Sequence, residues 1–265
     1  MRANELLVRR RVHFWLMLGL LVAFDVASSS TSQSDQRITV SANGARPLAS
    51  AIETLERRYG WVITYEDPPY LYPSEIEDVT VAVHKTYDPT KPRVLVPRGV
   101  PFNFEYALAS TGVEPDQSVL LERLLEEYRF SGNPGLFRLL RTGSIFHVVP
   151  SESKNSLGLF ELHSSLLDAN ISIGQAERTA FQMLKAITDA ISKTGAATVT
   201  PGTVPANLLL SSRLQEGAKD ESARTVLLRT LEATRSKLSW QLFCDPGAIR
   251  VCALNIHGVG RKAGP

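Results

Sequence analysis

The apolar positions of this chain fall into stretches of two different periods. Over residues 46–59, Leu48, Ala51, Ile52, Leu55 and Tyr59 recur three and four apart, which marks one face of a helix. Pro47 suits its first turn and Gly60 its end. Residues 37–40 before it and 61–65 after it read as strands, the second ended by Asp67-Pro68-Pro69. Val79, Val81 and Val83 alternate with Asp78, Thr80 and Ala82 and predict another strand. Residues 84–115 have no clean period, and Val94-Leu95-Val96 with Pro101-Phe102-Asn103-Phe104 fits one or two strands on an excursion. Asp116 is placed to cap a second helix, with Leu120, Leu121, Leu124, Leu125 and Tyr128 along one face. Residues 136–149 predict a hairpin turning at Thr142-Gly143, with Phe137 opposite Val148 and Leu139 opposite Phe146.

A polar stretch, 151–159, reads as a linker, and after it the order of elements runs again. Residues 170–173 precede a helix over 180–193, marked by Phe181, Leu184, Ile187 and Ile191 and stopped at Gly195. A short strand at 198–200 ends at Pro201-Gly202, and a loop passes through Leu208, Leu209 and Leu210. A helix opened by Asp220-Glu221 carries Leu227, Leu228 and Leu231. A second hairpin, 238–244 with 251–256, turns around Asp245-Pro246-Gly247. The expectation is an α+β protein of two similar small lobes, 37–150 and 160–257. Each would pack helices on a short mixed or antiparallel sheet ending in a hairpin, with helices 46–59 and 180–193 in matching places.

In the first half the order is strand, helix, strand, strand, helix, hairpin. It is carried by Arg46-Pro47-Leu48, Ala51-Ile52, Leu55 and Tyr59-Gly60-Trp61-Val62-Ile63-Thr64-Tyr65. The Val79-Val81-Val83 alternation, Leu121 to Leu125, and Leu139, Gly143 and Phe146-His147-Val148-Val149 complete it. This resembles the short N-terminal (STN-like) module shared by secretins and TonB-dependent outer-membrane receptors. The resemblance covers 37–150, with an insertion at 84–115 where the family has a short connection, and 160–257 resembles a more diverged copy. It implies a small α/β unit that contacts another envelope protein. Family roles that depend on a barrel or a ring domain are not carried over, because residues 160–257 resemble neither.

Residues 1–28 have the layout of a secretory signal peptide: Arg2, Arg9, Arg10 and Arg11, an apolar run over 14–24, then Ala27, Ser28, Ser29 and Ser30. The run is well short of the roughly 20 residues that span a bilayer, so no membrane anchor is expected after cleavage. Residues 29–36 read as a disordered leader and 258–265 as a frayed tail. The whole chain has 265 residues, with 29 Lys and Arg against 27 Asp and Glu. The four signal arginines against Glu5 and Asp25 account for the excess, and the remainder is balanced. A balanced chain with no basic block carries no electrostatic footprint for nucleic acid. The expected location is exported, periplasmic or extracellular, and the expected partner an envelope protein or peptide.

No local chemistry rises from the motifs. Ser151-Glu152-Ser153-Lys154 and Lys193-Thr194-Gly195 echo an acyl-enzyme signature, but the first lies in the polar stretch and the second ends a helix. His84, His147, His163 and His257 stand singly, with no ligand spacing; His147 is expected half-exposed on the outer face of its hairpin, opposite Arg138. Glu75, Glu77 and Asp78 read as a solvated loop. Asn170-Ile171-Ser172 matches a glycosylation sequon within a strand reading. No catalytic residue, metal site or cofactor is expected. Tyr65, Tyr70 and Tyr72, with Pro68, Pro69 and Pro73, form either an aromatic rim for a peptide or glycan, or a stiff loop whose rings cover the end of a sheet. Cys244 and Cys252 meet as a disulfide if Trp240 pairs with Ile256 and Leu242 with Leu254; a register facing Leu242 with Val251 leaves two buried thiols.

Two functions compete. One is a non-enzymatic exported binding module; the alternative is an exported hydrolase acting on a cell-wall polymer or peptide, using Glu66 or Asp67 with Glu75. The hydrolase needs carboxylates, or a nucleophile and a base, converging in one cleft. The binding module needs an unpaired strand edge or an apolar patch.

Overall fold

The face read over 46–59 folds as helix α1 (Pro47–Tyr59), opened by its proline and closed by Gly60 at φ 70°, whose N–H bonds Glu56 O at 2.7 Å. It runs between strands β1 (Gln36–Ala42) and β2 (Ile63–Glu66). An excursion pairs β3 (Ile76–Asp78) with β4 (Leu95–Pro97) around the short helix α2 (Thr80–His84). Strand β5 (Phe102–Leu108) leads to α3 (Gln117–Arg129), capped by the Asp116 carboxylate on Val119 N–H at 2.9 Å. The hairpin of β6 (Leu136–Thr142) and β7 (Ile145–Lys154) closes the first half. After β8 (Phe160–Leu162) come β9 (Asn170–Thr179), α4 (Ala180–Ser192), β10 (Thr198–Pro201) and the short helix α5 (Ala206–Ser211). Then come β11 (Arg213–Ser222), α6 (Ala223–Glu232), β12 (Leu238–Cys244) and β13 (Val251–Gly258). The structure, a computed structural model, describes residues 36–85, 90, 92–108, 113–247 and 249–260. The signal-like segment 1–28, the leader to residue 35 and residues 261–265 lie outside the described residues.

The protein is α+β, and its strand pairings occur twice. β1 pairs antiparallel with β5, and β9 with β11, as separate two-stranded sheets. β2 pairs parallel with β7, which pairs antiparallel with β6; β10 pairs parallel with β13, which pairs antiparallel with β12. A parallel contact of β12 with β2 joins these groups into one sheet ordered β10-β13-β12-β2-β7-β6, with β8 added to the end of β7. Strand direction reverses from one group of three to the next. The order and directions of the strands in the two groups are those that a half-turn about an axis across the strands, with a shift along it, would give.

The registers place the helices. Gln241 lies beside Tyr65 and Leu242 beside Glu66, so each pair shares a face of the sheet. Tyr65, Ile63, Phe146 and Val148 pack with α1 and α3 in one core. Trp240, Leu242, Cys244 and Leu254 pack with α4 and α6 in the other. The two helix pairs therefore cover opposite faces of a shared sheet, and both cores close on β12 and β2. The described residues belong to one compact unit.

Several expectations are corrected. Residues 151–159 are no linker: β7 continues to Lys154, Asn155 Oδ1 accepts the N–H groups of Leu157 and Leu159, and the chain doubles back as β8. The Val79-Val81-Val83 alternation is not a strand. The Asp78 carboxylate accepts from Thr80 N–H at 3.0 Å and turns the chain into α2, leaving Val81 and Val83 exposed. The first hairpin turns at Gly143-Ser144, with Gly143 at φ 59°; Leu139 faces Val148 and Phe137 faces Pro150. The two-residue slip keeps the same side chains inward. α6 starts after Ser222, since β11 runs through Asp220-Glu221 with an irregular register. Gln36 belongs to β1 rather than to a leader, and Val259 is buried with its N–H on Lys237 O, so the tail is ordered through 260.

Candidate binding edge

Of the residues singled out for chemistry, Tyr65, Tyr70, Glu66 and Asp67 lie where β2 adjoins β12, and each holds partners there. Tyr65 and Tyr70 are 1% and 3% exposed, and both hydroxyls donate to Asp67 Oδ1, at 2.9 and 2.8 Å. Asp67 Oδ2 accepts from Arg46 Nε at 2.6 Å and from Cys244 N–H at 2.8 Å. Arg46 also donates to Cys244 O, and Arg250 to Asp67 O. Tyr72 lies apart, half-buried, with the Lys154 ammonium over its ring. Tyr65, Tyr70 and Tyr72 thus form no rim: Tyr65 is part of the core packed with α1 and α3, and Tyr70 is buried beside Asp67. Burial, with the Asp67 charge adding to it, raises the Tyr65 and Tyr70 pKa well above the phenol range.

Glu66 points to the opposite face and reaches the second half. Arg224 of α6 lies 2.6 Å from Glu66 Oε1, Ser165 donates to Oε2, and Arg224 also holds Ser165 Oγ and Asp168 Oδ1, each at 2.9 Å. Burial raises the Glu66 pKa despite the opposing Arg224 charge. Burial alone would lower that of Arg224, but Glu66 and Asp168 outweigh it. Glu75 is elsewhere, paired with Lys154 at 2.9 Å. Glu66 and Asp67 with Glu75 therefore do not converge in a cleft. Lys154 faces Glu75, and the Lys193-Thr194-Gly195 run ends α4, as read.

His147 is fully buried, not half-exposed, and faces Leu140 rather than Arg138. Its ring stacks on Trp240 at 5.3 Å and bonds Thr64 Oγ1 through Nδ1 at 2.8 Å. Desolvation, then the nearby Arg224 cation, pushes its pKa down to about 3, so it is neutral packing between the halves. His257 of β13 reaches Glu56 of α1 at 2.8 Å, and Gln241 donates to Glu53. Cys244 and Cys252 are paired as the first register requires, with Trp240 opposite Ile256 and Leu242 opposite Leu254, and they form a disulfide with sulfurs 2.10 Å apart. This polar seam holds two halves together, and its charged groups meet partners within it, while Trp240 Nε1 and Arg250 Nε are buried without a hydrogen bond.

What the fold leaves open is an edge. β6 ends the six-strand order and has a neighbour on one side only among the described residues. Its two-residue turn makes Thr142 and Ile145 a hydrogen-bonded pair, so the backbone groups of Phe137, Leu139 and Arg141 point away from β7. Beside this edge a groove of about 260 Å³ runs between β6 and α3. Leu125, Leu136, Phe137 and Leu139 form its half-buried apolar walls, and Glu122 and Glu126 stand exposed one helical turn apart on the α3 side. Neither glutamate is in an ion pair among the described residues, while Arg129 and Arg138 flank the ends. A second exposed apolar group, Leu157, Leu159, Phe160 and Leu162, lies on the β7–β8 turn.

The sequence reading did not find the groove. The glutamate pair four residues apart was visible, but edge status is a property of the whole sheet. No family model matches the chain, and no curated protein or solved structure matches it. Among the described residues, no group of three or more His, Cys, Asp or Glu could hold a metal ion, and no helix is long and apolar enough to cross a membrane.

Proposed function

We propose that this chain is an exported, non-enzymatic interaction protein built from two STN-like modules, which binds an extended segment of another envelope protein along β6. The signal-like N-terminus and the Cys244–Cys252 disulfide support export, since disulfides persist in oxidising compartments. The recurrence of the same strand pairings in both halves supports duplication of one module.

One observation carries the binding role. The outer edge of β12 in the second half is covered by a strand, β2, whereas the corresponding edge of β6 in the first half lies beside a groove. Strand addition gives affinity through the backbone and selectivity through alternate side chains. A segment on β6 would place every second residue against Leu125, Leu136 and Leu139, and a Lys or Arg among them would face Glu122 and Glu126. The hydrolase reading loses its proposed groups, because Glu66 and Asp67 are held by Arg224, Arg46 and two tyrosines.

Selection of peptides from a displayed random library on the folded, exported chain tests this. Enriched sequences should alternate apolar and basic residues, and Glu122→Lys with Glu126→Lys should weaken their binding at least about tenfold. No enrichment, or binding indifferent to the double substitution, would overturn the assignment to β6.

A further inference from the structure

The head-to-tail geometry that joins β12 to β2 within the chain has an obvious continuation. A half-turn and a shift carry the first joint onto a second, in which β6 of one molecule lies parallel to β10 of another. Such heterologous contacts repeat from copy to copy, into rings where the rotation closes and into filaments where it does not. β10 is built against this.

Thr198 N–H bonds Arg250 O and Gly202 N–H bonds Leu254 O, so the alternate residues Val199 and Pro201 turn their amide positions to the outer edge, while Thr203, past the end of the strand, is drawn back to β13 by Ile256 N–H on its carbonyl. Val199 N–H is taken by Ser192 Oγ at 2.8 Å, which also lies 3.2 Å from Val199 O. Pro201 has no N–H. Thr203 N–H is taken by Asn255 Oδ1 at 2.9 Å. In β2 the first position is filled in the same way, Ile63 N–H bonding the Glu56 carboxylate seven residues earlier, as Val199 bonds Ser192 seven earlier. The next two differ. Tyr65 stands where β10 has Pro201, and Asp67 N–H bonds Leu242 O of β12 where Thr203 N–H is diverted to a side chain.

We infer that β10 is a sealed end: Ser192, Pro201 and Asn255 stop the joint between the halves from being repeated between molecules, and a second copy of this chain is the occupant they exclude. Edge strands invite pairing with other chains, and a proline with side-chain caps removes every donor such pairing would use. The inference concerns β10 and stands whether or not β6 binds a foreign peptide.

The test is the chain carrying Ser192→Ala, Pro201→Val and Asn255→Ala, compared with the unmodified chain by light scattering over about a hundredfold range of concentration. The unmodified chain should keep one mass. The variant, with an unchanged circular dichroism spectrum, should show a mass that rises with concentration to at least about twice the monomer. Excess unmodified chain should then shorten the assemblies, since it offers β6 but a sealed β10. If the triple variant fails to fold, Pro201→Val alone should show the same rise more weakly. Folded variants that stay monomeric, an unmodified chain that already associates through β10, or assemblies that unmodified chain does not shorten would each overturn the inference.

Discussion

The two halves set the same strands in the same order but treat the strand after the first helix in opposite ways. In the first half β2 ends in Glu66-Asp67, is buried on both sides, and anchors residues from both cores. In the second half the corresponding strand ends in Pro201-Gly202 and lies at the rim of the sheet. The topological position is thus neutral; its side chains decide whether it becomes a joint or a boundary. Carboxylates are costly to bury, and they are tolerated here because cations and hydroxyls from distant segments meet them. A proline costs nothing at an edge and would remove a bond in the middle of a sheet.

The sharpest way to break this contrast is at Arg224. Arg224→Ala strands the Glu66 carboxylate in the interior and should lower the free energy of unfolding by about 3–5 kcal/mol in urea titration. Glu66→Met together with Arg224→Met should recover most of that loss. Pro201→Ala, at the corresponding strand of the other half, should change stability by no more than about 0.5 kcal/mol. A small effect of Arg224→Ala would mean the joint is held by apolar packing alone.

A second difference lies in the hairpins. The first turns in two residues at Gly143-Ser144; the second has a longer loop and is closed by Cys244–Cys252. Intact mass after alkylation without reductant should show no modified cysteine. Cys244→Ala with Cys252→Ala should cost about 2 kcal/mol, the loop closed being short.

The smallest expected effect comes from His257 and Glu56, a second tie between the halves. Burial acts to lower the His257 pKa, but the hydrogen bond and charge of Glu56 outweigh it and leave it raised. Its contribution is therefore complete below the unfolded value near 6.5 and is lost as pH rises through the higher folded value. The stability difference between the unmodified chain and His257→Gln should be about 1 kcal/mol near pH 5.5 and shrink toward zero by about pH 9. A difference that grows with pH would contradict the tie.

The sequence by itself determined the local elements wherever one residue type forces a conformation. Pro47 and Gly60 bound α1, Asp116 caps α3, and the alternation of Trp240, Leu242 and Cys244 against Cys252, Leu254 and Ile256 is met by the observed register. It failed where a side chain competes with a pattern, as Asp78 does by turning the three alternating valines into a helical turn, and Asn155 by folding a polar stretch into a hairpin. Only the tertiary structure decided that Tyr65 and Tyr70 are interior, that Glu66 meets Arg224 across 158 positions of chain, and that β6 is open while β10 is sealed. Burial and edge status depend on which strands lie side by side, and that follows from packing two apolar cores on opposite faces of one sheet rather than from the period of any single segment.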